Sequence, residues 1–373
     1  MWSKSIQVFL TLTLVLGTLP GSALAATNYI AIDLNPGGFT GSEAYSTSGA
    51  QQVGGGSSPI TGGYAHALLW SGTAQSYVDL NPSGFTSSAA FCASGTKQVG
   101  YAYGTTTGNH THALLWSGTA QSCLDLNPSG FAGSTAYSTS GMQQVGYGYP
   151  ATATNYHALL WSGTAQSCVD LNPSGFTNSE GRSTNGTQQV GDGYGSITGG
   201  NGHALLWSGT AQSCVDLNPI GFSFSLAYGI SGTQQVGEGG GTATGDQTHA
   251  LLWSGTAQSY VDLNPSGFNG SWVYGTNGTQ QVGQGTTPTS IRALVWSGTP
   301  QSYVDLSQFL PSGFNSSSAE SIDSQGDIVG DAGDASGNVH AILWIPVPEP
   351  STLALLGTVA IGLLAWAWRR CRV

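Results

Sequence analysis

The chain has 373 residues, 57 of them glycine, and carries 18 acidic against 7 basic residues, a formal net charge of −11. Four of the basic residues, Lys4, Arg369, Arg370 and Arg372, sit near the two ends, and the body keeps only Lys97, Arg182 and Arg292. Against these stand seventeen acids, the eighteen of the chain less Glu349; that balance excludes nucleic acid as a partner, because neutralising a phosphate backbone takes several basic contacts.

The first residues read as an export leader. Lys4 gives a short positive region, Val8 to Leu16 an apolar run, and Ala23-Leu24-Ala25 a small-residue cleavage site. Residues 1–25 are therefore expected to be a signal peptide.

The body, residues 26–346, is one repeated phrase. HALLWSGTAQS starts at His66, His112, His157, His203 and His249, returns as RALVWSGTPQS at Arg292, and ends as HAILW at His340. DLN or DLS recurs at Asp33, Asp79, Asp125, Asp170, Asp216, Asp262 and Asp305. Successive starts are 43 to 48 residues apart, a period of propeller blades. In the second unit, strands are expected over His112–Trp116, Ser122–Leu126, Ala136–Thr139 and Gln143–Tyr147, separated by Gly-rich and Asn-Pro turns. Gly is too frequent for long helices.

Within HALLW both alternating sets are largely apolar, which suits a strand buried on both faces. Trp70, Trp116, Trp161, Trp207, Trp253, Trp296 and Trp344 are expected to fill layers between stacked sheets rather than to form an exposed sugar platform. Cys123, Cys168 and Cys214 share one repeat position with Tyr77, Tyr260 and Tyr303. They read as packing groups, too far apart around a ring for disulfides.

The chain opens with a DLN that has no HALLW before it and closes with a HAILW that has no DLN after it. Pairing Tyr29–Leu34 with His340–Ile345 would complete a seventh sheet from both ends. The fold class predicted is an all-β, seven-bladed β-propeller closed by its N- and C-terminal strands. An open solenoid would need capping repeats, and none is present.

Residues 347–373 form a separate tail. Val347-Pro348-Glu349-Pro350-Ser351 precedes an apolar stretch from Thr352 to Trp368 and then the three arginines. Seventeen residues as a helix span about 26 Å, enough for a thin hydrocarbon core. Triplet, short apolar helix and basic end, in that order, resemble a PEP-CTERM sorting signal of Gram-negative bacteria. The resemblance implies export through the inner membrane and transient anchoring there by the helix. It further implies processing by an exosortase-type transpeptidase, alongside exopolysaccharide production. The repeat itself, HALLW, then DLN, then a stretch ending QQVG or DIVG, resembles the HAF extracellular repeat from about Ala31 to Trp344. Ser321-Ile322-Asp323-Ser324-Gln325-Gly326-Asp327-Ile328-Val329-Gly330 carries it most fully, and Arg292 departs from it. That resemblance implies an extracellular bacterial repeat protein and brings no catalytic residues with it.

Three constellations invite a chemical reading. The repeated His66, His112, His157, His203, His249 and His340 and the seven aspartates suit a hydrogen bond made once per blade, because catalysis needs an asymmetric constellation. Arg292 fits this pairing, since it donates to a carboxylate but cannot act as a base. The Asp of DLNP also suits a turn, bonding to nearby backbone amides. Asp323, Asp327, Asp331, Asp334 and Asn338 bring five oxygen-bearing side chains into sixteen residues, a candidate calcium set without EF-hand spacing. The connections between QVG and the next HALLW should emerge on one face. Tyr101, Tyr103, Tyr147, Tyr149, Tyr156 and Tyr194 there offer aromatic surfaces with polar tips for polysaccharide.

The function expected is an exported, non-catalytic structural or interaction module, at the cell surface or in the extracellular matrix. It needs no cofactor, and its expected partners are the processing enzyme and exopolysaccharide. The second reading is a lectin-like polysaccharide binder. The third, a polysaccharide-active enzyme, would lean on the loop acids Asp192, Glu238 and Asp246.

Overall fold

The computed structural model describes residues 28–152 and 154–347. The expected leader at 1–25, the Pro348-Glu349-Pro350 triplet and the expected membrane helix at 352–368 lie outside the described residues.

Seven four-stranded antiparallel sheets make up the described chain. The first blade consists of Gly41–Ser48, Gln51–Ser57, Ala65–Trp70 and Val78–Asp79, from the innermost strand to the outermost. The seventh takes Phe314–Ile322, Ile328–Asp334 and Val339–Pro346 from the end of the chain and its outermost strand, Tyr29–Asp33, from the beginning. Tyr29 pairs with Pro346 and Asp33 with Ile342, so the ring closes as the offset of the two phrases predicts. Helical structure among the described residues is confined to short 3-10 turns, in line with the glycine content.

The written repeat and the folded blade are out of step. Thr111–Trp116 and Leu124–Asp125 are the two outer strands of one sheet, whereas Phe131–Thr139 and Gln144–Pro150 are the two inner strands of the next. The expected four-strand unit therefore straddles two blades, and the DLNPSG turn is the passage between them. The HALLW periodicity located the strands but could not reveal which neighbours hydrogen-bond.

The layers between blades hold the core. Trp70 and Leu68 of the first blade pack with Val329, Ala341 and Leu343 of the seventh, and Trp116 and Leu114 of the second with Val53, Ala67 and Leu69 of the first. All seven repeat tryptophans are 0% exposed, so they serve as mortar between sheets rather than as a sugar platform. Cys123, Cys168 and Cys214 are free thiols packed at the edges of such layers. Tyr77, at the equivalent place, meets Phe39 edge-on at 5.3 Å.

Two further repeated residues explain themselves in the structure. A bulge between Ala44 and Ser46 pushes the innermost strand against its neighbour, and a Cβ on Gly54 would lie 1.9 Å from the Glu43 carbonyl oxygen. That contact is why the QVG phrase ends in glycine. The second is a bolt between blades. The Ala341 amide of the seventh blade donates to Ser42 Oγ of the first, which donates to Asn35 Oδ1 in the connecting turn. The same relay runs through Ala67, Ser88 and Asn81 and onward round the ring. Where DLS replaces DLN, Ser307 takes the place of the asparagine at 2.8 Å from Ser317.

Candidate functional site

The repeated histidines and aspartates meet in pairs. Nδ1 of His66, His112, His157, His203 and His249 lies 2.7 Å from Oδ2 of Asp79, Asp125, Asp170, Asp216 and Asp262 respectively. His340 makes the same 2.7 Å contact with Asp33 from the other end of the chain, and Arg292 Nη1 reaches Asp305 Oδ2 at 2.8 Å. The second oxygen of each carboxylate accepts a turn amide two residues on, as Asp79 Oδ1 does from Asn81 N–H at 2.8 Å. One carboxylate thus pins a strand and shapes the turn leading to the next blade. The arrangement recurs in every blade, with Arg292 in place of the histidine in one, and engages both oxygens of each carboxylate.

Variation is concentrated nearer the axis. The bulged position of the innermost strand carries, blade by blade, Tyr45, Phe91, Tyr137, Arg182, Tyr228, Tyr274 and Glu320, all lining a central cavity of about 150 Å³. Their rings form a belt: Tyr45 to Phe91 at 5.3 Å, Phe91 to Tyr137 at 5.3 Å, and Tyr228 to Tyr274 at 5.6 Å. The Arg182 guanidinium bridges the gap, 4.8 Å from the Tyr137 ring centre and 6.0 Å from that of Tyr228. These residues were not anticipated from the sequence. Their signal was present in the weak strand preceding QVG, as AYS, FCA, GRS or AES, where one bulky or charged residue stands among small ones.

The six candidate tyrosines stand mostly on strands rather than in loops. Tyr101 and Tyr103 belong to Lys97–Tyr103, Tyr147 and Tyr149 to Gln144–Pro150, and Tyr194 to Gln189–Gly195; only Tyr156 stands in a connection. The strands run on past the QVG phrase because they stay paired with the innermost strand up to Pro150. Tyr147, Tyr149 and Tyr156 form a triangle with centroids 5.4 to 6.0 Å apart. Tyr101 joins the belt through Phe91 at 5.6 Å. Tyr103 and Tyr149 are the exposed members, at 37% and 41%. Burial pushes the Tyr149, Tyr156 and Tyr194 hydroxyls up to about 12, so all three remain protonated donors at ordinary pH.

Charge is distributed unevenly around the axis. Arg182 holds Glu180 at 2.6 Å and Asp192 at 3.3 Å; burial opposes its charge, but the two carboxylates more than offset this and raise it. Glu238 accepts from the Tyr228 hydroxyl at 2.8 Å, and burial lifts its carboxyl to about 6. On the other side stand Glu43, Glu320 and Asp331. Burial, then Glu320, then Glu43 push Asp331 up to about 7, and burial also raises Glu320. Among the described residues no arginine or lysine pairs with these three: Lys97 bonds Ser117, Arg292 is taken by Asp305, and Arg182 faces Glu180 and Asp192.

The candidate calcium set is not assembled. Asp323 Oδ1 accepts from the Gln325 and Asp327 amides and its Oδ2 from Gly49 N–H, all at the hairpin end of the strand Ile328–Asp334. Asp334 caps the opposite turn through Ser336, Asn338 and the Asn338 side chain. Seven residues of strand, about 20 Å, separate the two groups, and Asp331 lies between them facing the axis. Among the described residues no cluster of three His, Cys, Asp or Glu side chains is placed to hold a metal. Of the three loop acids, Asp192 and Glu238 are strand residues lining the axis, and Asp246 stands apart in a turn with φ of 62°.

Residues 346–370 match the PEP-CTERM protein-sorting motif. This motif marks the chain for export and membrane-associated sorting to the cell surface, with an exosortase as processing partner. No curated protein matches the chain in sequence. Among solved structures it is similar to a puromycin-hydrolyzing peptidase of Mycobacterium tuberculosis at 11% identity, covering 86% of this chain and 54% of that one, with a TM-score of 0.57. The β-propeller domain of the Trilobed protease from Pyrococcus furiosus matches at 8% identity over 86% and 94%, with a TM-score of 0.53. An oligogalacturonate lyase in complex with manganese matches at 10% identity over 87% and 99%, with a TM-score of 0.51. The chain spans about half the length of the peptidases it matches. These likenesses show the propeller fold alone; the Pyrococcus domain is described as an open velcro, whereas here terminal strand pairing closes the ring.

Proposed function

We propose that the protein is an exported, non-catalytic interaction module of the cell surface or the extracellular polysaccharide matrix, and that the tyrosine-bearing end of its axis holds polysaccharide. The observation that carries this reading is the aromatic belt joined to the Tyr147, Tyr149 and Tyr156 triangle. Sugar rings stack on such faces while hydroxyl and carboxylate tips take up their polar edges. The resemblance of the repeat to the HAF extracellular repeat supports the same location. The sorting motif adds a transient membrane anchor, removed by the exosortase, before the ring is released to the matrix.

The test is a pull-down with native matrix polysaccharide, using the protein and a variant with Tyr101, Tyr103, Tyr147 and Tyr149 all changed to Ala. Retention of the former and loss of the latter is expected, with both melting at similar temperatures. Equal retention of both would remove the binding reading and leave a scaffold. Release of soluble sugar fragments during the incubation would instead make the protein an enzyme.

A further inference from the structure

One blade breaks the pattern of the row beside the belt. The residues paired across from Glu43 and its equivalents are Gly55, Tyr101, Tyr147, Asp192, Glu238, Gln284 and Asp331. Six blades place a side chain there and the first places none. A cavity of about 440 Å³ opens in consequence, with Glu43, Tyr45, Phe91, Tyr101 and Asn338 among its walls. It shares Tyr45 and Phe91 with the central belt, so the two spaces adjoin. Gly55 is not required by the backbone: an added Cβ would meet only the His66 carbonyl at 3.8 Å and the Ala89 methyl at 3.9 Å, ordinary contacts. Its neighbours differ, since a Cβ on Gly54 or Gly56 would collide at 1.9 or 2.8 Å. The fold needs the first glycine of this run, whose Cβ would strike backbone; at the third, Ala102 and Ala332 stand in other blades, and the second keeps a space open.

The chemistry of the walls narrows what fills it. Three aromatic rings and a carboxylate face the space, and Tyr45 donates its hydroxyl to Glu43. Glu43 stands on the side of the axis whose carboxylates have no cation from the protein. A cation over aromatic faces gains from their quadrupoles, and more once desolvated. An anionic sugar would meet repulsion from Glu43, and a neutral one would leave that carboxylate without a counter-charge. The size suits one or two sugar rings.

We infer that the first-blade cavity is a subsite for an amine-bearing sugar unit, its ammonium group at Glu43 and its ring against Tyr45, Phe91 and Tyr101. This rests on the polysaccharide reading and specifies the class of glycan. Calorimetric titration of the full-length protein with a β-1,4-glucosamine tetrasaccharide and with its fully N-acetylated counterpart tests it. The amine form should bind at least tenfold more tightly. Gly55→Tyr, which gives the first blade the side chain its neighbour already carries at Tyr101, should abolish binding without lowering the melting temperature. Glu43→Gln should reduce the preference for the amine severalfold. Equal affinity for the two oligosaccharides, or binding undiminished in Gly55→Tyr, would overturn the inference while leaving polysaccharide binding in place. Failure of both sugars to bind, with native matrix still retained, would also overturn it and spare the broader reading. Loss of matrix retention as well would end both.

Discussion

The rim and the axis of this ring obey different rules. At the rim, one His–Asp contact of 2.7 Å is made in six blades with the same atoms, and the seventh substitutes arginine for the same bond. At the axis, equivalent positions hold tyrosine, phenylalanine, arginine or glutamate. Uniform residues do uniform work, holding strand to turn and blade to blade. Residues that change from one blade to the next are what give a ring of copies a direction, because only they distinguish one side of the axis from another.

The sharpest way to break this comparison is through adjacent glycines. Gly54→Ala should destabilise by more than ~3 kcal/mol, since its methyl would need space held by backbone, whereas Gly55→Ala should change stability by less than ~0.5 kcal/mol. Urea midpoints decide it, and comparable losses would mean that Gly55 is structural after all. Next comes Trp253→Ala, which empties a layer between blades and should cost about 3–5 kcal/mol. A loss under about 1 kcal/mol would contradict the burial of that ring.

The acid side of the axis makes a pH prediction. Asp331, pushed up to about 7, holds a proton in the folded state that the unfolded chain releases near pH 4. Its stabilisation is therefore full below about pH 4 and is lost as pH rises through about 7. Asp331→Asn should gain about 2–4 kcal/mol over the native protein on going from pH 4 to pH 8. Parallel profiles for the two proteins would refute the shift. The smallest effect belongs to the rim: His157→Ala should cost about 1 kcal/mol, since the pair is part-exposed and strand pairing survives it. Loss of matrix binding at unchanged stability would move that histidine from frame to site.

Much of the frame was legible in the sequence because its determinants are local and repeated. The HALLW alternation gave buried strands, the DLN turn gave His–Asp pairing, and the mismatch at the two ends gave closure. Blade membership was not legible, because a strand's hydrogen-bonding neighbour leaves no mark in a period. The axial belt was missed for a related reason. Tyr45 or Arg182 in a strand of small polar residues looks like noise until seven such residues converge. The aspartates of the last blade failed as a group for the opposite reason: nearness in sequence suggested a cluster, and an extended strand carried them to opposite ends.

The closing strands also decide how the ring bears load. Val347 donates its amide to the Asn28 carbonyl at 2.9 Å, so the chain enters and leaves at one point on the circumference. The strand ending there, Val339–Pro346, is flanked on both sides by hydrogen-bonded partners. A pull on Pro346 is therefore shared by two ladders instead of peeling a border strand away. Opening the ring at its seam requires two ladders to shear together rather than one to unzip.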